Sequence, residues 1–396
     1  MIITSKILHN VSLTAHPQGC ARHTLDQIDW VRSLSQHLPS ASLLPKRVLV
    51  LGGSTGYGLS SRIVTAFAGH AATLNVSFER EPSENKTATP GWYNTLAFEQ
   101  EAAKEGLVAA SVFGDAFSQE IKARVASRIK DLMGQVDLVV YSLASPMRTD
   151  PFTGEVYRSV LKPIGQPYTA LSVDTSTGIV HSVTVEPAER KQIDDTVKVM
   201  GGEDWRLWIS YLLEQGLLAR GAMTVSYTYI GPQVTYPVYR EGTIGKAKED
   251  LEHSAAVLDG YLAAIGGKAY VSVNKALVTR ASAVIPVVPL YMAILYRVMK
   301  DLGLHEQCTE QMYRLFTGKL YTGQPVPVDS ENRIRLDDWE MRADVQREVM
   351  ERWNSLEEGA LLTCGDLEGF RCEYDHIHGF GFDSIDYLAD VDPRMV

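Results

Sequence analysis

The segment Arg47-Val48-Leu49-Val50-Leu51-Gly52-Gly53-Ser54-Thr55-Gly56-Tyr57-Gly58-Leu59 constrains this chain more than any other. An apolar run ends in a glycine cluster, and a helical pattern starts at once. A strand, a tight turn and a helix N-terminus in that order expose backbone N–H groups to an anion, so the segment predicts a cradle for nucleotide phosphate. It also predicts an α/β fold, because such a turn joins a buried strand to the helix that crosses back over the sheet.

The glycines are spaced G-x-x-x-G-x-G at Gly52, Gly56 and Gly58, wider than the usual G-x-G-x-x-G. This segment resembles that of short-chain-dehydrogenase-type enzymes, which use the wider spacing. One glycine permits the turn, one lets the backbone approach a diphosphate, and one lets helix and strand pack closely. A glycine-rich turn without a ligand would read the same in isolation. The context favours the nucleotide. Thr73 to Phe78 reads as the second strand and ends at Glu79, about 20 residues past the glycines, where a carboxylate accepts hydrogen bonds from an adenosine ribose. A 2′-phosphate would be repelled there, so the cofactor expected is NADH rather than NADPH.

The rest of the chain alternates. Helices are expected at Leu25 to Leu38, Leu59 to Phe67, Trp92 to Glu105 and Ser118 to Met133, and strands at Leu107 to Phe113 and Val136 to Leu143. Tyr168 to Val173 and Gly178 to Val185, joined by Asp174-Thr175-Ser176-Thr177, read as a β-hairpin insertion. Helices follow at Lys191 to Val199, Asp204 to Gln215 and Ile244 to Ile265, with buried strands at Ala222 to Tyr229 and Ala269 to Val273. Beyond residue 288 the pattern is mostly helical to about 355. The expected fold is α/β: a Rossmann-type doubly wound parallel sheet with helical additions and a hairpin insertion over the carboxyl ends of its strands. With 396 residues and no linker of low complexity, one elaborated domain is expected. It would comprise an N-terminal strand and helix (1–46), a cofactor core (47–285, hairpin at about 163–187) and a helical, substrate-covering C-terminal region (286–396).

Charge narrows the partners. Lys and Arg number 38 against 48 Asp and Glu, so 38 − 48 gives a net charge of −10. That argues against nucleic acid. Four scattered cysteines suggest a reducing, cytoplasmic compartment. Cys364, Cys372, His376 and His378 fit no common zinc spacing and read as structural, so no metal is expected. The apolar stretch Ala281 to Tyr296 contains Pro286 and Pro289 and is too short to span a bilayer, which leaves a buried helix. A monomer suffices, and oligomeric state is left open.

Ligands of open α/β sheets sit beyond the carboxyl ends of the strands, so the residues following each strand are the candidates. Asp115, with Ala116, follows the third and can accept from an adenine amino group. Leu143 and Ala144 follow the fourth, small enough for a ribose to pass. Tyr229 follows a later strand, and Tyr239 precedes a helix carrying Lys246 and Lys248. A phenol beside an ammonium is a working acid: the cation favours the phenolate and holds ribose hydroxyls, and the phenol donates to an oxyanion. Tyr239 and Lys246 are seven apart, on one face of a continuous helix, and Tyr239 and Lys248 are nine apart, on opposite faces. Gly242 and Gly245 argue that Tyr239 lies in the loop before the helix. Spacing alone does not choose between the lysines.

Tyr239-x8-Lys248, the Gly52 to Gly58 loop, Phe78-Glu79, Gly114-Asp115-Ala116, Tyr141-Ser142-Leu143-Ala144-Ser145-Pro146, Met200-Gly201-Gly202-Glu203-Asp204-Trp205 and Ser272-Val273-Asn274-Lys275-Ala276-Leu277-Val278-Thr279 together resemble the FabV-type trans-2-enoyl reductases, over essentially the whole chain. The resemblance implies NADH-dependent reduction of the carbon–carbon double bond of a 2-enoyl thioester. It assigns Tyr239 as proton donor and Lys248 to the cofactor and catalysis. It places Tyr229 against substrate, and Gly52, Gly53, Ser54, Thr55, Gly56, Tyr57, Phe78, Glu79, Asp115, Ala116, Leu143, Ala144, Leu277, Val278 and Thr279 against the cofactor. Ile285 to Tyr291 matches a substrate-covering helix. Tyr236 and Arg240-Glu241-Gly242 resemble the branch acting on CoA thioesters more than the branch acting on acyl-carrier-protein thioesters. Two rivals are a short-chain-dehydrogenase-type carbonyl reductase, which needs Tyr-x3-Lys where Tyr239 has Thr243, and a non-catalytic NADH-binding sensor.

Overall fold

In this computed structural model the described residues are all but 9, 10, 37, 39, 40, 281–286 and 396. A short antiparallel pair, β1 (Ile7–Leu8) and β2 (Val11–Ser12), precedes α1 (Pro17–Ser35). The helix starts eight residues ahead of the expected Leu25, because His16 caps it by accepting from the Gly19 N–H and Pro17 suits the first turn. The core then runs β3 (Arg47–Leu51), α2 (Gly56–Phe67), β4 (Ala72–Ser77), α3 (Pro90–Lys104), β5 (Ala109–Phe113), α4 (Gln119–Leu132) and β6 (Val136–Tyr141). Two hairpins interrupt it, β7 (Met147–Thr149) with β8 (Val156–Arg158) and β9 (Tyr168–Val173) with β10 (Val180–Val185). It resumes with α5 (Arg190–Met200), α6 (Glu203–Glu214), β11 (Leu218–Thr228), α7 (Thr243–Leu262) and β12 (Lys268–Val273). It ends with α8 (Val288–Asp301), α9 (Cys308–Leu315), β13 (Arg333–Arg335), α10 (Ala343–Asn354) and α11 (Leu367–Ile377).

The main sheet is seven-stranded and parallel, in the order β13-β12-β11-β6-β3-β4-β5. Chain order reverses between β3 and β6, so the crevice beyond their carboxyl ends is the topological switch point. Period-two side chains explain why the strands read as unbroken apolar runs. Val48 and Val50 of β3 join a core with Leu59 and Ile63 of α2 and Phe98 of α3. Leu49 and Leu51 face Ile121 of α4, Trp205 and Trp208 of α6 and Leu258 of α7.

A third core lies over the strand ends. It joins Val173 and Val180 of the β9–β10 hairpin to Tyr239, Ile244 of α7, Val278, most of α8, and Trp353 and Phe370 of α10 and α11. The hairpin therefore does cover the carboxyl ends. The apolar stretch is the buried helix α8 from Val288 onward; the expected Ile285 and Pro286 lie outside the described residues. The hairpin β7–β8, β13 as seventh strand, and α11 went unanticipated.

Candidate active site

The glycine turn is built by close approach. Gly52 has φ +89°, and a side chain there would meet the Ser142 carbonyl at 2.3 Å. A side chain at Gly58 would lie 2.0 Å from the Gly52 carbonyl. At Gly56 (φ +52°) a Cβ would meet, among the described residues, only Thr279, at an uncrowded 3.6 Å. Thr55 is the N-cap of α2, its side chain makes no capping bond, and the first turn carries no acidic residue. The exposed N–H groups and the helix dipole favour a phosphate there.

Beside this cradle Glu79 is nearly inaccessible, with 4% of its side chain exposed. Ser54 Oγ donates to its Oε1 at 2.6 Å, and its buried Oε2 has no partner among the described residues. A buried carboxylate oxygen lacking a donor fits the two hydroxyls of a ribose. Phe78 next to it is 78% exposed, a flat apolar face beside Glu79. Asp115 fixes its own loop, Oδ1 accepting from the Phe117 N–H at 2.9 Å. Ala116 is buried, Leu143 half-buried and Ala144 exposed, and the last two follow β6 as coil. Tyr57 donates to the Lys275 carbonyl at 2.8 Å, tying the glycine turn to the strip after β12. In that strip Leu277 and Val278 are buried, and the Val278 N–H donates to the Tyr296 hydroxyl at 2.9 Å. These residues fit a dinucleotide lying along the strand ends.

The two lysines separate cleanly. Lys246 is exposed and ion-paired with Glu249 at 2.9 Å. Lys248 turns inward, and its Nζ donates to the Tyr227 carbonyl at the end of β11 at 3.2 Å. Burial lowers its pKa to about 8, against the pull of Glu252. Tyr239 sits in the turn before α7, its N–H bonded to the Thr235 and Tyr236 carbonyls. Gly245 makes this possible: a Cβ there would strike the Arg240 carbonyl at 1.9 Å. The helix is thus not continuous through Tyr239, as its two glycines indicated.

Among the described residues the Tyr239 hydroxyl has no hydrogen-bond partner. The pair was expected to lower the phenol pKa. Instead burial raises it. The phenol is 8% exposed in an apolar setting and stays protonated at neutral pH, a donor awaiting an acceptor. The Tyr229 ring stands edge-on to it, centroids 5.0 Å apart. Gly231 (φ +72°) leaves room for that ring, since a Cβ there would lie 2.6 Å from the Tyr229 hydroxyl.

Sequence reasoning missed Arg280, whose guanidinium stands 3.6 Å from Glu79, although it directly follows Leu277-Val278-Thr279. It also missed Glu340, which accepts from Tyr229 at 3.0 Å across 111 positions of sequence, with no motif to flag it. The cysteine–histidine group is spent locally. His376 stacks on Phe382, the His378 Nδ1 lies 2.9 Å from the Tyr374 carbonyl, and among the described residues no three metal-binding side chains converge.

Three family models match the chain: the catalytic region of trans-2-enoyl-CoA reductase over residues 86–321, its NAD(P)H-binding domain over 2–84, and an enoyl reductase FAD-binding domain over 328–391. An enoyl-acyl-carrier-protein reductase (NADH) of Flavobacterium johnsoniae is 53% identical over 391 residues, 99% of this chain and 98% of its own. The trans-2-enoyl-CoA reductase of Treponema denticola, solved with NAD, is 48% identical with a TM-score of 0.95, covering 100% of this chain and 99% of its own. That of Clostridium acetobutulicum, solved with NADH, is 42% identical with a TM-score of 0.95 over 99% and 98%. The 328–391 segment does not fit a flavin. Its strand β13 leads into no glycine turn, and α10 and α11 spend Trp353 and Phe370 on packing in the core of α8.

Proposed function

The chain belongs to the trans-2-enoyl-CoA reductase family, and from that premise we propose that it reduces the C2=C3 bond of a trans-2-enoyl thioester with NADH, using Tyr239 as the acid. The observation that carries the residue assignment is the protonated Tyr239 phenol, without a hydrogen-bond partner among the described residues, beside Tyr229 and under the apolar cover of α8 and the β9–β10 hairpin.

The turn Gly52 to Tyr57 and the start of α2 hold the diphosphate. Glu79 accepts from the adenosine ribose, Phe78 flanks the base, and Asp115, Ala116, Leu143 and Ala144 border the nucleoside path. Lys248, Leu277, Val278 and Thr279 line the nicotinamide end. Bound in this way, NADH supplies the hydride for C3. As charge gathers on the thioester oxygen, Tyr239 donates to it in a chamber where a hydrogen bond gains strength from the missing water. Protonation at C2 completes the reduction. Lys248, cationic below pH of about 8, adds positive charge at the ribose side. Tyr229 touches the substrate from the other flank.

The thioester we infer is a CoA ester such as crotonyl-CoA, with an acyl-carrier-protein ester as the other carrier. Kinetics on both carriers at matched acyl length decide the preference. The four thiols are unpaired, which supports a reducing, cytoplasmic setting. The chain acts as one elaborated unit, supported by the single core that joins the hairpin, α7, α8, α10 and α11. The test is NADH oxidation with crotonyl-CoA against a panel of ketones. Turnover with crotonyl-CoA alone is expected. Turnover with ketones alone would favour a carbonyl reductase, and none with either would favour a sensor.

A further inference from the structure

Glu340 lies outside every motif considered above and is fully buried, yet three groups converge on its carboxylate. Tyr229 donates to Oε1 at 3.0 Å, Tyr291 of α8 donates to the same oxygen at 2.7 Å, and the Ala276 N–H donates to Oε2 at 2.7 Å. Gln346 Nε2 in turn donates to the Tyr291 hydroxyl at 3.1 Å, which commits the Tyr291 proton to Glu340. One side chain thus links the phenol beside Tyr239, the helix covering the site, and the start of the strip expected to meet the cofactor. Burial raises the Glu340 carboxyl, and the Ala276 N–H and the nearby Lys275 ammonium oppose the rise.

A phenol has one proton to give. With that proton spent on Glu340, the Tyr229 oxygen can only accept on its remaining side. Tyr239, 5.0 Å away ring to ring, has a proton committed to no partner among the described residues. We propose that Glu340 is a positioning residue that fixes the hydrogen-bond polarity of the tyrosine pair, Tyr229 as acceptor and Tyr239 as donor to the thioester oxygen. The inference rests on the reductase reading given above, since it assigns a direction to two hydroxyls of that same site.

Glu340→Gln tests it, because the amide cannot satisfy all three donors. The Ala276 N–H is a backbone donor that cannot reverse, so it claims the amide oxygen. The amide nitrogen then faces the two phenols and makes Tyr229 an acceptor from below, turning its proton toward the site. In the otherwise unchanged chain, Glu340→Gln should lower kcat for crotonyl-CoA by ~10-fold or more, the size of a lost hydrogen bond to a charged group. In a Tyr229→Phe background the same change should cost about twofold or less, and in a Tyr291→Phe background the loss should persist, as coupling through Tyr229 alone requires. Equal losses in all backgrounds, a loss confined to KM for NADH, or no loss in any background would overturn the proposal. Should Glu340→Gln not fold, Glu340→Asp withdraws the acceptor from Tyr229 while keeping its charge, and the same three backgrounds decide. A chain that fails to reduce crotonyl-CoA at all refutes the reductase reading itself, a result distinct from any of these.

Discussion

Replacing Glu79 by Gln should relax the choice between NADH and NADPH. Glu79 is 4% exposed and lies under the N-terminus of α3, where a Cβ on Gly91 would meet its Oε1 at 2.2 Å, so it cannot swing aside. A 2′-phosphate on the ribose would be held within about 4 Å of it, where two unit charges repel by about 4 kcal/mol at the effective dielectric of such sites. Arg280, 3.6 Å from the same oxygen, offsets part of this. A net penalty of about 2–3 kcal/mol remains, or roughly 30- to 150-fold at about 1.4 kcal/mol per tenfold. The assay is kcat/KM for each cofactor with crotonyl-CoA. The parent should prefer NADH by about that factor. In Glu79→Gln the preference should collapse, mostly because NADPH improves, while NADH weakens by about tenfold through the lost charge-assisted ribose bond. Equal use of both cofactors by the parent, or an unchanged ratio in the variant, would refute the electrostatic reasoning.

Other outcomes follow from the same geometry. Lys248→Met should reduce kcat/KM for NADH by about 10- to 100-fold, whereas Lys246→Met, which breaks only an exposed ion pair, should change it little. Gly56→Ala should weaken NADH binding measured by fluorescence, because the left-handed backbone costs about 1–2 kcal/mol and the methyl enters the cradle. Gly52→Ala should instead lower the melting temperature, since its Cβ meets backbone. Lys248 loses its proton through about pH 8, so kcat/KM for NADH should fall above that pH. Over the same range the unfolded chain, with an ordinary lysine, binds more protons than the folded one. This group's contribution to stability therefore rises with pH while activity falls, which melting curves across pH 7.5 to 10 would show.

The sequence carried the sheet because each strand buries both faces and each glycine turn marks a strand end. β3, α2, β4 and the Glu79 position follow from local pattern alone. The break at Gly242 and Gly245 placed Tyr239 ahead of the helix but left both lysines open; only the resemblance pointed to Lys248, and the inward turn of one lysine and the outward turn of the other come from packing. Three features could not be read locally. α1 starts at an unusual His cap, β13 is three residues that pair only because β12 offers an edge, and Glu340 meets Tyr229 through the third core. The raised phenol of Tyr239 was missed for a related reason: residue types suggest an ion-assisted acid, but burial outweighs a cation that points at a carbonyl.

The most direct measurement is turnover of crotonyl-CoA by Tyr239→Phe, alongside NADH binding to the same variant. Loss of one donor at the developing oxyanion should cost about 10²–10³ in kcat, with NADH binding unchanged. Turnover at the parent rate, with the variant folded and NADH bound, would contradict the assignment of Tyr239 as the acid.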